Sequence, residues 1–145
     1  MNIKGRIVPT TNLANFECQV QGTDPPFSIP TTFVADTGAT RTSILYKDAD
    51  KIPELDFDTL EKYPRPVYGI GGKVEAYLLK GITITFRSSD PANHQETLKE
   101  AFVFRDYSRN EEERRDLYRI SSVIGMDMLR KYNISFEGDE AILFA

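Results

Sequence analysis

The chain has 145 residues, 40% of them apolar and 28% charged, with a net charge of −4. That length suits one domain, residues 1–145, with its own core, and the acidic balance argues against a nucleic-acid partner. No apolar run is long enough to span a bilayer, so no membrane partner is expected.

The start, Met1–Arg6, lacks the apolar core of a signal peptide. Cys18 is the only cysteine, which excludes an intrachain disulfide and suits a reducing compartment. A cytoplasmic protein, or the cytosolic form of a fragment, is expected, with the initial Met1 favouring a free-standing chain. The only histidine, His94, lies in the polar stretch Asp90–Glu96, so a Cys–His nucleophile is disfavoured. Cys18, within Phe16–Val20, reads as a small apolar strand residue. One His and one Cys make no zinc set, and there is no His-Glu-x-x-His. No metal and no cofactor are expected, although a site of carboxylates alone stays compatible with the composition. Nor is there a Walker loop or a Gly-x-Gly-x-x-Gly.

In chain order the pattern is of short β segments between turn residues, which points to an all-β barrel or sandwich. Ile3–Val8 and Phe16–Val20 read as opening strands, and Gly22–Pro26 breaks the pattern. The strand Thr32–Ala35 ends on Asp36-Thr37-Gly38-Ala39, a carboxylate, a hydroxyl and a glycine that lets another backbone come close. Extended structure resumes at Ser43–Leu45. The acidic, Pro-punctuated stretch Lys47–Pro66 reads as a surface excursion, with one short helix at Phe57–Lys62 capped by Asp56 or Asp58.

Val67–Leu78 reads as a hairpin with a glycine-rich tip, Gly69-Ile70-Gly71-Gly72. Ile82–Phe86 alternates apolar and polar, the mark of a half-buried strand. Leu98–Phe104 is a further strand. The charged segment Asp106–Arg119 reads as a solvated helix or loop. Within it Glu111 and Arg115 sit at a favourable i,i+4 spacing. Ser121–Gly125 is a short apolar run, Met126–Tyr132 a short helix with Met128, Leu129 and Tyr132 inward. Ile134–Phe136 and Ala141–Phe144 close the chain as a hairpin.

Three segments in this order resemble the retropepsin-like aspartic proteases, the single-lobe relatives of pepsin. They are Asp36-Thr37-Gly38-Ala39-Thr40, Tyr68-Gly69-Ile70-Gly71-Gly72 and Val123-Ile124-Gly125-Met126-Asp127-Met128-Leu129. Each is common alone; their ordered presence within a β pattern is specific. The resemblance implies an acid protease barrel with a β-hairpin flap and one short C-terminal helix. It implies an endopeptidase acting on extended polypeptide. Two stretches depart from the family's shortest members, the excursion before the flap and the charged segment 106–119. The terminal hairpin also runs further, so the dimer-forming sheet is expected to be built differently.

Hydrolysis by this route needs two carboxylates, one to take a proton from water and one to give a proton to the carbonyl oxygen. At about 3 Å apart two such groups share one proton. The chain holds one Asp-Thr-Gly, so the resemblance implies a C2 homodimer whose two Asp36 residues meet on the axis. Thr37 would bond across the interface, and Gly38 would give room and a carbonyl to the substrate. Ala39 lacks the hydroxyl usual there in two-lobed pepsins, which implies activity at less acid pH. Ile70, Gly71 and Gly72 would donate backbone bonds over the substrate. Tyr68 either lines the pocket or packs on its own hairpin. Ile124, with Gly125, would sit behind the loop, and apolar pocket walls are expected from Val34, Ile44, Ile70, Val74 and Ile124. Asp127 is read as a capping or ion-pair residue rather than a second catalytic acid. A module of the same fold that holds peptide without cutting it, or a scaffold or regulator that has lost the dimer, is the competing expectation.

Overall fold

A computed structural model describes residues 1–69 and 72–145. The strands are β1 (Asn2–Val8), β2 (Leu13–Thr23), β3 (Pro26–Ala35), β4 (Ser43–Ile44), β5 (Glu61–Lys62), β6 (Val67–Gly69), β7 (Gly72–Val74), β8 (Ala76–Phe86), β9 (Ser89–Asp90), β10 (Gln95–Phe104), β11 (Ser122–Ile124), β12 (Asn133–Glu137) and β13 (Glu140–Phe144). Three short helices interrupt them: α1 (Tyr46–Ala49), α2 (Glu111–Leu117) and α3 (Met126–Leu129).

Six strands close a barrel in the order β2-β3-β11-β4-β10-β8, with β8 pairing back onto β2. Period-two burial drives it. Along β2, Ala14, Phe16, Cys18 and Val20 point inward, and β8 contributes Ile82, Ile84 and Phe86. Strand side chains alternate between faces, so one spacing rule fills the interior. Burial pushes the Cys18 thiol up to about 12, with Arg87 opposing weakly. A thiol so far above its ordinary value is no nucleophile.

Two parallel pairings position the site. β11 runs beside β3, with Val34 opposite Val123 and Ala35 opposite Ile124. β10 runs beside β4, with Val103 opposite Ile44. Outside the barrel, β13 lies between β1 and β12, and β12 forms one end of the sheet.

The excursion differs from its expectation. Its helix is α1 at Tyr46–Ala49, not 57–62. At 56–60 there is a turn in which Asp56 takes the Asp58 N–H on its carboxylate and the Thr59 and Leu60 N–H groups on its carbonyl. The excursion is also not wholly superficial. Tyr46, Ala49 and Ile52 are buried, and Leu55, Phe57 and Leu60 pack on the core. Apolar residues spaced among acids at 46–60 bury one side of the loop, which an average over composition hides.

The charged segment forms α2, which buries no residue. Asn110 caps it by accepting the Glu113 N–H, and Arg109 pairs with Glu113 at 2.9 Å. α3 buries Met128 and Leu129, while Tyr132 lies just past it and is partly buried against the core. Among the described residues, no helix is long and apolar enough to cross a membrane.

Candidate active site

Asp36 follows the last residue of β3 and is exposed. Its N–H donates to the Ile124 carbonyl at 3.0 Å, continuing the β3–β11 ladder by one bond. The chain then turns sharply. The Gly38 N–H donates to Asp36 Oδ1 at 2.8 Å, and the Ala39 N–H to the Asp36 carbonyl at 3.2 Å. An aspartate bonding the N–H two residues on is an Asx turn, a standard use of this side chain. Thr37 and Gly38 are exposed on the turn.

The far side of the loop is bound to α3. Met126 N–H donates to the Ala39 carbonyl at 2.8 Å and Asp127 N–H to the Thr40 carbonyl at 3.2 Å. The first turn of a helix has N–H groups with no partner in the helix; here two of them hold the loop. Asp127 returns the contact. Its carboxylate accepts the Thr42 N–H at 3.0 Å and the Thr42 hydroxyl at 2.8 Å. The Gly125 N–H donates to that hydroxyl oxygen at 3.2 Å. A carboxylate committed in this way is a loop anchor. Asp127 was expected to cap the helix or form an ion pair, but α3 has no side-chain cap and the carboxylate instead binds Thr42, brought beside it by the fold.

Gly125 is needed for close approach. A Cβ there would lie 2.5 Å from the Arg41 carbonyl carbon and 2.7 Å from its oxygen. The loop can cross α3 at this depth only over a glycine.

Beneath the loop lies a buried polar chain with no distinctive sequence signal. Leu45 N–H donates to Ser122 Oγ at 3.0 Å, and Ser122 Oγ donates to Asp48 Oδ2 at 2.6 Å. Lys51 reaches Asp48 at 3.1 Å. The Asp48 side chain is 1% exposed, so the bonds from Ser122 and Lys51 offset the cost of burying its charge. In sequence Asp48 looked like one more surface acid of the excursion.

The loop floors a groove of about 600 Å³, the size of a ligand-binding cleft. Asp36, Gly38 and Ala39 line it, opposite Tyr68 and Val74 of the β6–β7 ribbon. Its walls include Tyr46, Tyr63, Phe102 and Phe104. Burial pushes the Tyr46 hydroxyl above its ordinary range, and Asp106 adds to this. The residues expected to line the pocket divide. Val74 does so. Val34, Ile44 and Ile124 are instead buried, Ile44 and Ile124 in the main barrel core. Ile124 therefore contributes its carbonyl to Asp36 and its side chain to packing, and offers no side chain to a substrate. The apolar walls come from aromatic residues of β10 and the excursion, which the motif reading did not name.

In the ribbon, β6 and β7 pair antiparallel, with Val67 opposite Val74 and Gly69 opposite Gly72. Tyr68 is 78% exposed. Ile70 and Gly71, expected to bond a substrate, lie outside the described residues. At the root of the ribbon, Glu75 accepts from Lys62 at 2.7 Å and from the Tyr107 hydroxyl at 2.7 Å. Those two bonds hold its carboxyl below the usual range. Among the described residues there is no cluster of three or more His, Cys, Asp or Glu able to hold a metal.

No family model matches the sequence, and no curated protein matches it. Solved structures do. A retropepsin-like aspartic protease from Rickettsia conorii superposes with a TM-score of 0.59 at 17% identity, over 99% of this chain and 90% of that one. The EIAV protease, solved with the inhibitor HBY-793, gives a TM-score of 0.50 at 15% identity, over 86% of this chain and 91% of that one. The protein thus has the retropepsin-like barrel fold. At such identities likeness establishes fold; chemistry rests on the site.

Proposed function

We propose that the protein is an aspartic endopeptidase whose active unit is a C2 homodimer. One observation carries the reading. Asp36 is the only carboxylate among the described groove residues, and it is held at the groove floor by a loop bonded to both β11 and α3. Peptide hydrolysis by activated water needs a second carboxylate. Asp127 does not supply it, being bound to Thr42. The second carboxylate is Asp36 of another copy, brought to it by an isologous interface.

In that dimer the two Asp36 carboxylates share a proton. One takes a proton from the attacking water as the other donates to the carbonyl oxygen. Thr37, exposed beside Asp36, bonds across the axis, and Gly38 accepts the substrate backbone. The β6–β7 ribbon acts as the flap, with Ile70, Gly71 and Gly72 donating to an extended substrate. The open sheet edge at β12, where Ile134 and Phe136 are 38% and 63% exposed, supports this as the side on which copies meet. An unpaired strand edge is a template for another strand.

Incubation with an unfolded protein across pH 3 to 7 tests the reading. Wild type cuts it and Asp36→Asn does not, with specific activity rising with protein concentration as the dimer forms. Identical cleavage by both proteins would sink the proposal. If wild type binds peptide but never cuts it, a peptide-holding module takes its place. With Ala39 in the loop, the pH–rate profile should peak well above pH 2.

A further inference from the structure

The groove carries more positive charge than the rest of the molecule would suggest. The chain has a net charge of −4, yet the charged groups among the described groove residues are Asp36, Arg41 and Arg65. The two arginines flank one ring. The Arg41 guanidinium lies 5.2 Å from the Tyr63 centroid and that of Arg65 lies 5.6 Å from it. Arg41 is partly neutralised, being 3.6 Å from Glu100, and also rests over Phe102.

Arg65 differs. Its Nη2 donates to the Tyr63 hydroxyl at 2.8 Å, and no carboxylate pairs with it among the described residues. Tyr63 is itself fixed, its ring 4.9 Å from that of Phe102 and its N–H bonded to the Ala76 carbonyl at 2.9 Å. A guanidinium seated on a fixed ring by stacking and by one bond has lost part of its freedom before any ligand arrives. It retains N–H donors for a carboxylate, which it can grip in bidentate fashion.

We infer that Arg65 is a specificity determinant that selects substrates with an acidic side chain close to the apolar residues seated in the groove. This rests on the groove being where polypeptide binds, as proposed above. Arg41 raises the local positive potential, and the Tyr63–Phe102 aromatic wall takes the apolar neighbour. The acidic group is a Glu or Asp side chain within the chain, since a groove open along an extended peptide need not meet its terminus.

End-blocked peptides with one apolar core, and Glu or Gln walked through the flanking positions, test this in two ways. Turnover is read with wild type, and affinity is read by fluorescence anisotropy on Asp36→Asn. At one position Glu is favoured roughly threefold to tenfold over Gln in each readout. The ratio falls to near one in Arg65→Ala, is partly kept in Arg65→Lys, and drops below one in Arg65→Glu. It fades at high salt, and below about pH 4 as the peptide Glu protonates. Equal use of Glu and Gln at every position, or a preference that survives Arg65→Ala, overturns the inference even if peptides are cut. A gain seen only with an unblocked C-terminus also overturns it. If nothing is cut but Asp36→Asn still binds Glu peptides better through Arg65, the proteolytic reading fails and the charge selection stands.

Discussion

The Asp36–Arg41 loop and the β6–β7 ribbon face each other across one groove but are held in different ways. The loop is bonded to β11 at Asp36 and to α3 at Ala39 and Thr40, and Thr42 just beyond it is bound by Asp127. The ribbon makes a sheet of its own, β6 with β7, and its root is tied by the exposed Glu75, Lys62 and Tyr107. The proposed hydrolysis, with one aspartate from each chain, would require that aspartate to be placed closely. A cover over a substrate has to admit it first. Among the described residues, backbone bonds to the barrel hold the floor, while the ribbon rests on the packing of Val67 and Val74 and on the bonds at Glu75, and the two arrangements fit those separate demands.

Substitutions on the two sides should therefore separate stability from turnover. Gly125→Ala puts a methyl group into the Arg41 backbone. It should cost about 3 kcal/mol or more and remove activity with it, as measured by thermal unfolding and peptide cleavage. A variant as stable and active as wild type would show that the loop is not pinned at α3. Asp127→Ala strips the buried Thr42 of its acceptor. A loss of about 1–3 kcal/mol is expected, with cleavage falling further than the stability change accounts for.

On the roof the order reverses. Tyr68→Ala should leave unfolding within about 0.5 kcal/mol of wild type while lowering kcat/KM several-fold, because this exposed ring has little to lose except contact with a substrate. An equal loss on both measures would place Tyr68 in packing and remove it from the groove. The smallest effect on stability is expected for Glu75→Gln. Lys62 and Tyr107 hold the Glu75 carboxyl below its ordinary range, so its contribution is present above about pH 4.3 and fades as pH falls through the lower folded-state value. Wild type and Glu75→Gln should differ in thermal stability near pH 6, and the gap should narrow as the pH falls below about 4.3. A gap that widens on acidification would reverse the sign and reject the tether.

Legibility in the sequence followed the range of the interactions. The strand ending at Ala35 and the turn at Asp36–Gly38 were readable because alternation and Asx chemistry are local. So were β11 and α3, but not the role of Asp127, whose setting suggests a cap or ion-pair residue and which binds Thr42, 85 positions away. The Asp48–Ser122–Leu45 chain was not, since it joins residues 74 and 77 positions apart and neither end is unusual where it stands. The short helix fell at 46–49 instead of 57–62 because burial of Tyr46 and Ala49 against β10 and the core outweighed the capping signal of Asp56.

Residue pattern alone thus determined a mostly β chain, a single strand-end aspartate on a tight turn, and a glycine-rich ribbon after it. Each depends on neighbours within a few positions. Closure of the barrel by β2 and β8, the crossing of Arg41 over Gly125 and the siting of Arg65 on Tyr63 were decided by tertiary structure. So was the loss of Ile124 from the groove to the core. In each case the deciding contact joins a residue to a partner that local periodicity cannot specify, and it is the closed barrel that brings the two together.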